Sequence, residues 1–537
     1  MLERASTIHE LRRSFRWHIP ASMNIAELCC TRHADRSNRP ALILHDENRT
    51  VGFLDLERRA SRLAHVMAAH GVVRGDRVAI FLDQQLDTAA AHIATSKIGA
   101  IALPLFRLFG PDALQHRLHD SGAKLVLTDA EGSERIAMIR DELPELATVL
   151  VTGVPLECQL ENARDRFDAV STSSNDPAVL IYTSGTSGPP KGALHAQRVL
   201  LGHLPGVQMT HEFFPHDGDC FWTPADWAWI GGLLDVLLPS LYFGVPVVAT
   251  RLGKFDPHAA ADLMGRHDVR NAFLPPTSLK LMRDAQIDAR AHGAILRSIG
   301  SGGERLGDEV LGWAQDSFGV TINEFYGQTE CNLVVSNLAQ LAAPRAESMG
   351  MAVPGHEVAI IDGNGDPVMP GKTGSIAVRH PDPVMFLGYW NQPEATRAKF
   401  RGNWLVTGDL GRMDEDGFFT YLGREDDLIT SAGYRIGPAE VEACLMRHEA
   451  VAMCAVIGVP DELRGERVKA FIVLRQGASP GEELSNNIRN FVRHRLAAHE
   501  YPREIEFLHE LPMTATGKIR RMDLRQLGSG QTRQPVR

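Results

Sequence analysis

The sequence predicts an α/β protein, with parallel sheets covered on both faces by helices, followed by a smaller α+β unit. Two observations predict the first part. Short apolar runs alternate with helical patterns across roughly the first four hundred residues. These runs are apolar throughout rather than every second residue, as strands buried on both faces are. A third observation predicts the second part: after the polar, Gly-rich stretch TYLGREDDLITSAGYRIGP, beginning at Thr420, the order of elements changes.

The elements follow in order. Leu56, Ala60, Leu63, Ala64 and Met67 recur at helical spacing and form one apolar stripe. Arg77–Leu82 reads as a buried strand, and Thr88–Ile98 as the helix after it. Further strands are expected at Ala100–Leu105, Lys124–Asp129, Thr148–Thr152, Val179–Thr183, Val245–Thr250 and Arg270–Leu274. Ile230–Ala249 is apolar for the length of a membrane span, but Asp235, Pro239 and Gly244 interrupt it, so a core helix followed by a strand is expected. Beyond Asp426 the pattern becomes helix (Ala439–Arg447), strands (Val451–Val459, Val468–Leu474), helix (Glu483–Ala498) and strand (Ile505–Leu508). Ligands of such folds gather at loops beyond the carboxyl ends of the strands.

Composition narrows the function. Length alone suggests about three structural units. A net charge of −10 and 23% charged residues leave no broad cationic face, which argues against a nucleic-acid binder. The seven cysteines are scattered, odd in number and form no CxxC pair, so a reducing compartment and no zinc site are expected. The first residues carry arginines but no apolar stretch, and Glu3 and Glu10 count against a transit peptide, so a soluble cytoplasmic protein is expected.

The strongest chemical signal is IYTSGTSGPPKG, Ile181–Gly192, directly after the strand-like PAVLIY. Thr183, Ser184, Gly185, Thr186, Ser187 and Gly188 are small, letting backbone N–H groups approach a polyphosphate while hydroxyls add donors. Lys191 follows as a cation. The spacing is not that of a Walker A loop. Glu324–Glu330 (EFYGQTE), TGD ending at Asp409, GREDD at Gly423–Asp427 and PMTATGKIRR at Pro512–Arg521 follow in that order.

Together these segments resemble the signatures of the adenylate-forming superfamily of acyl-CoA synthetases, nearest its medium-chain and acetyl-CoA synthetase-like branch. The resemblance implies a large N-terminal domain (1–425) of stacked αβαβα sheets plus a β-barrel-like subdomain. A small mobile α+β C-terminal lid (426–537) would follow, pivoting at Asp426. It also implies ATP, Mg²⁺ and coenzyme A as cofactors. The turn SGGERL at Ser301–Leu306 resembles the family's adenine-pocket turn, giving Gly303, Glu304 and Arg305, with Arg305 in place of a proline. Glu324, Phe325, Tyr326, Gly327 and Gln328 would line the nucleotide, with Tyr326 stacked on adenine. Thr329 would bond a phosphate and Glu330 would ligate Mg²⁺, since a hard cation bridging phosphates takes one or two carboxylates. Asp409 would accept from the ribose hydroxyls, and Arg424 would lie on the ribose and α-phosphate side. Ala432, Gly433 and Tyr434 would line the pantetheine tunnel and Arg435 would face the phosphate or the acid. Arg464, Tyr501 and Arg503 match coenzyme A contacts of the medium-chain branch. Lys518 matches the adenylation lysine, and its P-x₄-G-K context resembles the pattern that lysine acetyltransferases recognise in this family.

The implied activity is ATP-dependent acyl-CoA synthesis: a carboxylic acid and ATP give acyl-AMP and pyrophosphate, then coenzyme A takes the acyl group and releases AMP. Members restricted to acetate or propionate carry a tryptophan at the position of Gly327, so a monocarboxylic acid longer than propionate is expected: medium-chain, branched or aromatic. Trp229 is expected to line the acyl pocket, and two of Trp222, Trp227 and Trp229 to be core. The alternatives are a short-chain acid ligase, a carrier-directed adenylating enzyme, a luciferase-like oxygenase and an inactive nucleotide sensor. Against the second, the chain runs only 19 residues past Lys518, with no carrier serine.

Overall fold

In the computed structural model the described residues are 2–183, 190–251, 253–304, 306–345, 347–427, 429–431, 434–461, 465–496, 501–514 and 518–528. The chain divides into two compact units, one comprising 1–184, 189–358 and 378–405, the other 185–188, 359–377 and 406–537.

The first unit holds two sheets. One has seven strands in the order Gly388–Tyr389, Lys191–Ala196, Pro177–Thr183, Ile101–Pro104, Arg77–Phe81, Leu125–Thr128, Thr148–Val151. Its middle and far strands are parallel, and Lys191–Ala196 runs antiparallel to Pro177–Thr183. The other sheet contributes nine strands here, from Ser348–Ala352 through Asn332–Ser336, Ile322–Gln328, Ser298–Gly302, Asn271–Phe273, Phe221–Trp222, Val247–Ala249 and Pro40–Leu44 to Arg49–Gly52.

Strand alternation sorts side chains into layers. Val78 and Ile80 of the seven-stranded sheet share one apolar cluster with Leu42 and Val247 of the nine strands, and with Ala89, Ala90 and Ile93 of the helix Leu86–Ile98. Ala79 and Phe81 face the other way, onto Leu114, Leu118 and Ile136 of outer helices. Trp222, Val248, Ala272 and Ile299 turn their opposite face to Ala260, Met264, Leu279 and Val310. Helix, sheet, helix, sheet, helix: the stacked αβαβα arrangement expected from the sequence is present.

The apolar stripe of Leu56, Ala60, Leu63, Ala64 and Met67 is buried on the helix Phe53–Ala69. Ile230–Ala249 resolves into a π-helical run Gly231–Leu237, the helix Leu238–Phe243 and the strand Val247–Ala249. Among the described residues no helix is long and apolar enough to cross a membrane.

The second unit contains strands at Thr373–Arg379, Trp404–Met413 and Phe418–Arg424, neighbours in that order. It ends in a five-stranded sheet built on the long antiparallel pair Val451–Asp461 and Gly465–Leu474. Cys454 and Val456 face the helices Pro438–Leu445 and Glu482–Arg493, whereas Ala455 and Ile457 face Leu524 of the helix Arg521–Gly528. The strand pair Ile429–Ser431 and Tyr434–Ile436 lies in the stretch that read as merely polar and Gly-rich.

Candidate active site

Thr183 and Lys191 are cross-strand partners, with the Thr183 hydroxyl donating to the Lys191 carbonyl at 3.3 Å. Thr183 thus ends a strand that runs parallel to Ile101–Pro104, at the carboxyl edge where ligands collect in such sheets. Ser184, Gly185, Thr186, Ser187 and Gly188, the expected phosphate cradle, lie outside the described residues. The Lys191 ammonium sits 5.3 Å from the Tyr389 ring centroid.

Parallel pairing of Ser298–Gly302 with Ile322–Gln328 sets Ser301 beside Glu324 and Gly302 beside Phe325, so two separate sequence motifs share one sheet edge. Gly303 follows with φ +99°, a conformation glycine adopts at little cost. Glu304 is half-buried next to it, and Arg305 lies outside the described residues. Glu324 Oε1 accepts from the Leu306 amide at 3.1 Å, so this acid also holds the turn in place. Phe325, Tyr326, Gly327 and Gln328 continue the strand, all half-buried, and Lys399 Nζ donates to Gln328 Oε1 at 3.1 Å.

The chain turns at Thr329 and Glu330 and returns as Asn332–Ser336. Glu330 is 7% exposed. Its Oε1 accepts from the Tyr389 phenol, and its backbone carbonyl accepts from the Phe386 amide at 2.9 Å. Tyr389 lies 59 residues away in the sequence and carries no motif of its own. Beside the Thr329 backbone, His195 is fully buried, and burial pushes its imidazole down to about 3, so it is neutral at pH 7. Among the described residues no group of three or more His, Cys, Asp or Glu could hold a metal by itself. A lone buried carboxylate suits an ion that takes its remaining oxygens from phosphates and water.

Trp229 is half-buried, its ring 5.4 Å from Phe273, which in turn lies 5.3 Å from Phe325. Trp222 and Trp227 are completely buried core residues. The π-helical run begins two residues after Trp229, a rare geometry that often marks functional sites. On it, Asp235 is buried 3.4 Å from His203. Burial pushes the Asp235 carboxyl well above its ordinary range and lowers His203 to about 3, so the pair is neutral.

Gly327 sits where the two strands of the hairpin come closest. A Cβ built there would overlap the carbonyl of Asn332 and come 2.9 Å from the Leu333 amide nitrogen, because the hairpin's register shifts between Tyr326 and Gly327. The missing side chain lets two backbones meet, so an indole at Gly327 would displace the hairpin rather than simply narrow a channel.

In the second unit Asp409 and Arg424 are cross-strand partners. Arg424 Nη1 donates to Asp409 Oδ1 at 3.1 Å and to the Thr407 carbonyl at 3.4 Å, and Asp409 is 5% exposed. Asp426 falls in the short 3₁₀ turn Glu425–Asp427. Ala432, Gly433 and Arg464 lie outside the described residues, and the backbone of Tyr434 and Arg435 lies on the strand Tyr434–Ile436. Arg503 Nη1 donates to the Tyr501 hydroxyl at 2.9 Å. Lys518 is exposed.

Comparison with known proteins shows the family. The model "AMP-binding enzyme" matches residues 30–390, and "AMP-binding enzyme C-terminal domain" matches 440–518. The chain is 35% identical to the acetyl-coenzyme A synthetase of Bacillus subtilis, over 94% of this chain and 90% of that protein. It is also 35% identical to the mitochondrial acyl-coenzyme A synthetase ACSM4 of Mus musculus, over 88% and 83%. Among solved structures it resembles the anthranilate CoA ligase AuaEII in complex with anthranoyl-AMP, with TM-score 0.87 and 30% identity over 95% and 98% of the two chains.

Proposed function

The chain belongs to the AMP-binding enzyme family and is an AMP-forming acid–thiol ligase, and we propose that its acid is a monocarboxylate longer than propionate. The observation that carries this reading is the aromatic row of half-buried Trp229, fully buried Phe273 and half-buried Phe325. The likeness to an anthranilate ligase supports an aromatic acid, and the likeness to an acetyl-coenzyme A synthetase keeps a short acid as the second reading.

In the first step a carboxylate oxygen attacks the α-phosphorus of ATP and the bond to pyrophosphate breaks. Thr183 and Lys191 flank the loop that takes the phosphates, and the Thr329 hydroxyl donates to one of them. Glu330, oriented by Tyr389, would hold Mg²⁺, which when bound offsets charge on the phosphate oxygens. Asp409 accepts from the ribose diol, a task a carboxylate with two acceptor oxygens can perform, once Arg424 turns toward the phosphate. Lys518 supplies positive charge as two anions approach each other. In the second step the sulfur of coenzyme A attacks the acyl carbon, AMP leaves and the thiol proton is released. The segment from Ala432 to Arg435, with Arg464, Tyr501 and Arg503, receives coenzyme A, and Asp426 is the pivot between the steps.

Two outcomes test this reading. In a panel of acids from acetate to decanoate plus benzoate, scored by AMP released in the presence of coenzyme A, kcat/KM is expected to rise about fourfold per methylene until the pocket fills, at roughly 0.8 kcal/mol each. Acetate as the best substrate would establish the short-chain reading instead. Incubation with a lysine acetyltransferase and acetyl donor should modify the exposed Lys518, removing its charge. Acyl-AMP formation should fall in proportion to the modified fraction seen by mass spectrometry; full activity at full modification would refute the role of Lys518.

A further inference from the structure

Two anchors flank Lys518. The Thr514 amide donates to the Lys518 carbonyl at 2.7 Å and the Lys518 amide donates back to Thr514 Oγ1 at 3.0 Å. Ile519 then packs against the apolar cluster of Ala455, Ile457, Phe471 and Leu524. That contact seats the residue after Lys518 on the sheet.

The second anchor is ionic. Arg521 opens the helix Arg521–Gly528, and its Nη2 donates to both oxygens of Glu442, at 2.7 and 2.8 Å. Its Nη1 lies 3.6 Å from Asp427, which also accepts from Arg525 at 2.7 Å. Glu442 is itself fixed, because its Oε1 accepts from the Val456 amide at 2.7 Å. Burial alone would lower the Arg521 guanidinium, but the carboxylates of Glu442 and Asp427 outweigh it and hold the group above its ordinary value. The Tyr421 phenol lies within the electrostatic reach of Asp409, Arg521, Arg424 and Asp427, so this cluster continues toward the ribose acid. Asp427 is the residue next to the pivot Asp426, 94 positions before Arg521 in the chain.

We propose that Arg521 is a positioning residue for adenylation: clamped by Glu442 and Asp427, it ties the Lys518 loop to the segment beside the pivot. Rotation there then brings the ammonium to one defined place instead of a spread of positions. The proposal rests on the reading of Lys518 as the adenylation lysine. A surface ion pair contributes little, but two partly buried carboxylates from separate elements on one guanidinium specify a geometry.

The test uses the full chain carrying Arg521→Met, Arg521→Lys or Glu442→Gln, with the two half-reactions measured separately beside the thermal midpoint. Arg521→Met should slow acyl-AMP formation by roughly 10- to 100-fold in kcat, the scale of an ångström-sized misplacement, with KM for ATP little changed. Thioester formation from pre-made acyl-AMP should stay within about threefold, a loss too small to reflect a displaced group. Arg521→Lys should recover part of the rate, and Glu442→Gln should show a smaller loss of the same step. Equal loss of both half-reactions in step with a lower midpoint, or no loss in any variant, overturns the proposal. If Arg521→Met does not fold, the two milder variants decide by the same split. Lys518→Ala is the reference: if it spares acyl-AMP formation, the underlying reading fails, whereas if it alone abolishes that step, only the role of Arg521 fails.

Discussion

Lys518→Ala is expected to cut acyl-AMP formation by 10²-fold or more while leaving thioester formation from pre-made acyl-AMP nearly intact. The size follows from what the charge does. A carboxylate approaching the triphosphate brings anion to anion, and negative charge grows on the bridging oxygen as pyrophosphate leaves. A fixed donor aimed at such charge contributes about 10²–10³-fold in systems where one has been removed. Thioester formation builds no such charge on pyrophosphate, so the lysine has no part in it. Lys518 is exposed and its loop is held by Thr514 and Ile519 rather than by its own side chain, so the alanine variant should fold with an unchanged thermal midpoint. Pyrophosphate exchange reads the first step and release of AMP from pre-made acyl-AMP and coenzyme A reads the second. Equal loss in both assays would remove Lys518 from the mechanism.

The parallel strands were legible because burial on both faces leaves them no polar residues to blur their limits. Arg77–Leu82 was expected and Arg77–Phe81 is present; Val245–Thr250 was expected and Val247–Ala249 is present. Ile230–Ala249 forms the helix and then strand that its pattern predicts, but its π-helical opening has no periodicity signal distinct from an α-helix over seven residues. The returning strand Asn332–Ser336 and the strands from Thr373 to Arg424 went unpredicted, since their partners are set by tertiary pairing rather than local pattern.

At the site, motifs gave identities but not neighbours. Asp409 and Arg424 were drawn from separate motifs, and only strand register sets them opposite each other. Tyr389 against Glu330, and Arg521 against Glu442, join residues 59 and 79 positions apart, a separation at which one sequence carries no pairing signal. The His203–Asp235 pair had a trace in the sequence: an aspartate inside IGGLLDVLL is a buried polar group in need of a partner.

Gly327→Ala is expected to lower stability sharply, and Gly327→Trp to abolish accumulation of folded protein. The sequence alone suggested a different outcome for the tryptophan, a shift toward acetate. The hairpin decides between them. Strand Ile322–Gln328 and its return Asn332–Ser336 come together with a register shift at Gly327, and any Cβ there overlaps the Asn332 carbonyl. Relief requires moving backbone, and Asn332 is tied through its Nδ2 to the Val384 carbonyl at 3.5 Å while the Glu330 carbonyl holds the Phe386 amide. Overpacking at a site that can shift costs about 1–3 kcal/mol, and more where backbone must give way, so alanine should exceed that range. The same shift would carry Tyr326, Thr329 and Glu330 out of place, so any folded remainder should lose activity on every acid alike. Thermal midpoints and soluble yield read the stability effect, and kcat/KM on acetate, hexanoate and benzoate reads the specificity. A stable Gly327→Trp enzyme that prefers acetate would show that the hairpin tolerates a side chain and that this position gates acyl length. Trp229→Ala supplies the complementary arm, because its ring packs against Phe273 and not at the Gly327–Asn332 contact. That variant should stay folded and move the preference toward bulkier acids, whereas an unchanged acid profile would take Trp229 out of the pocket.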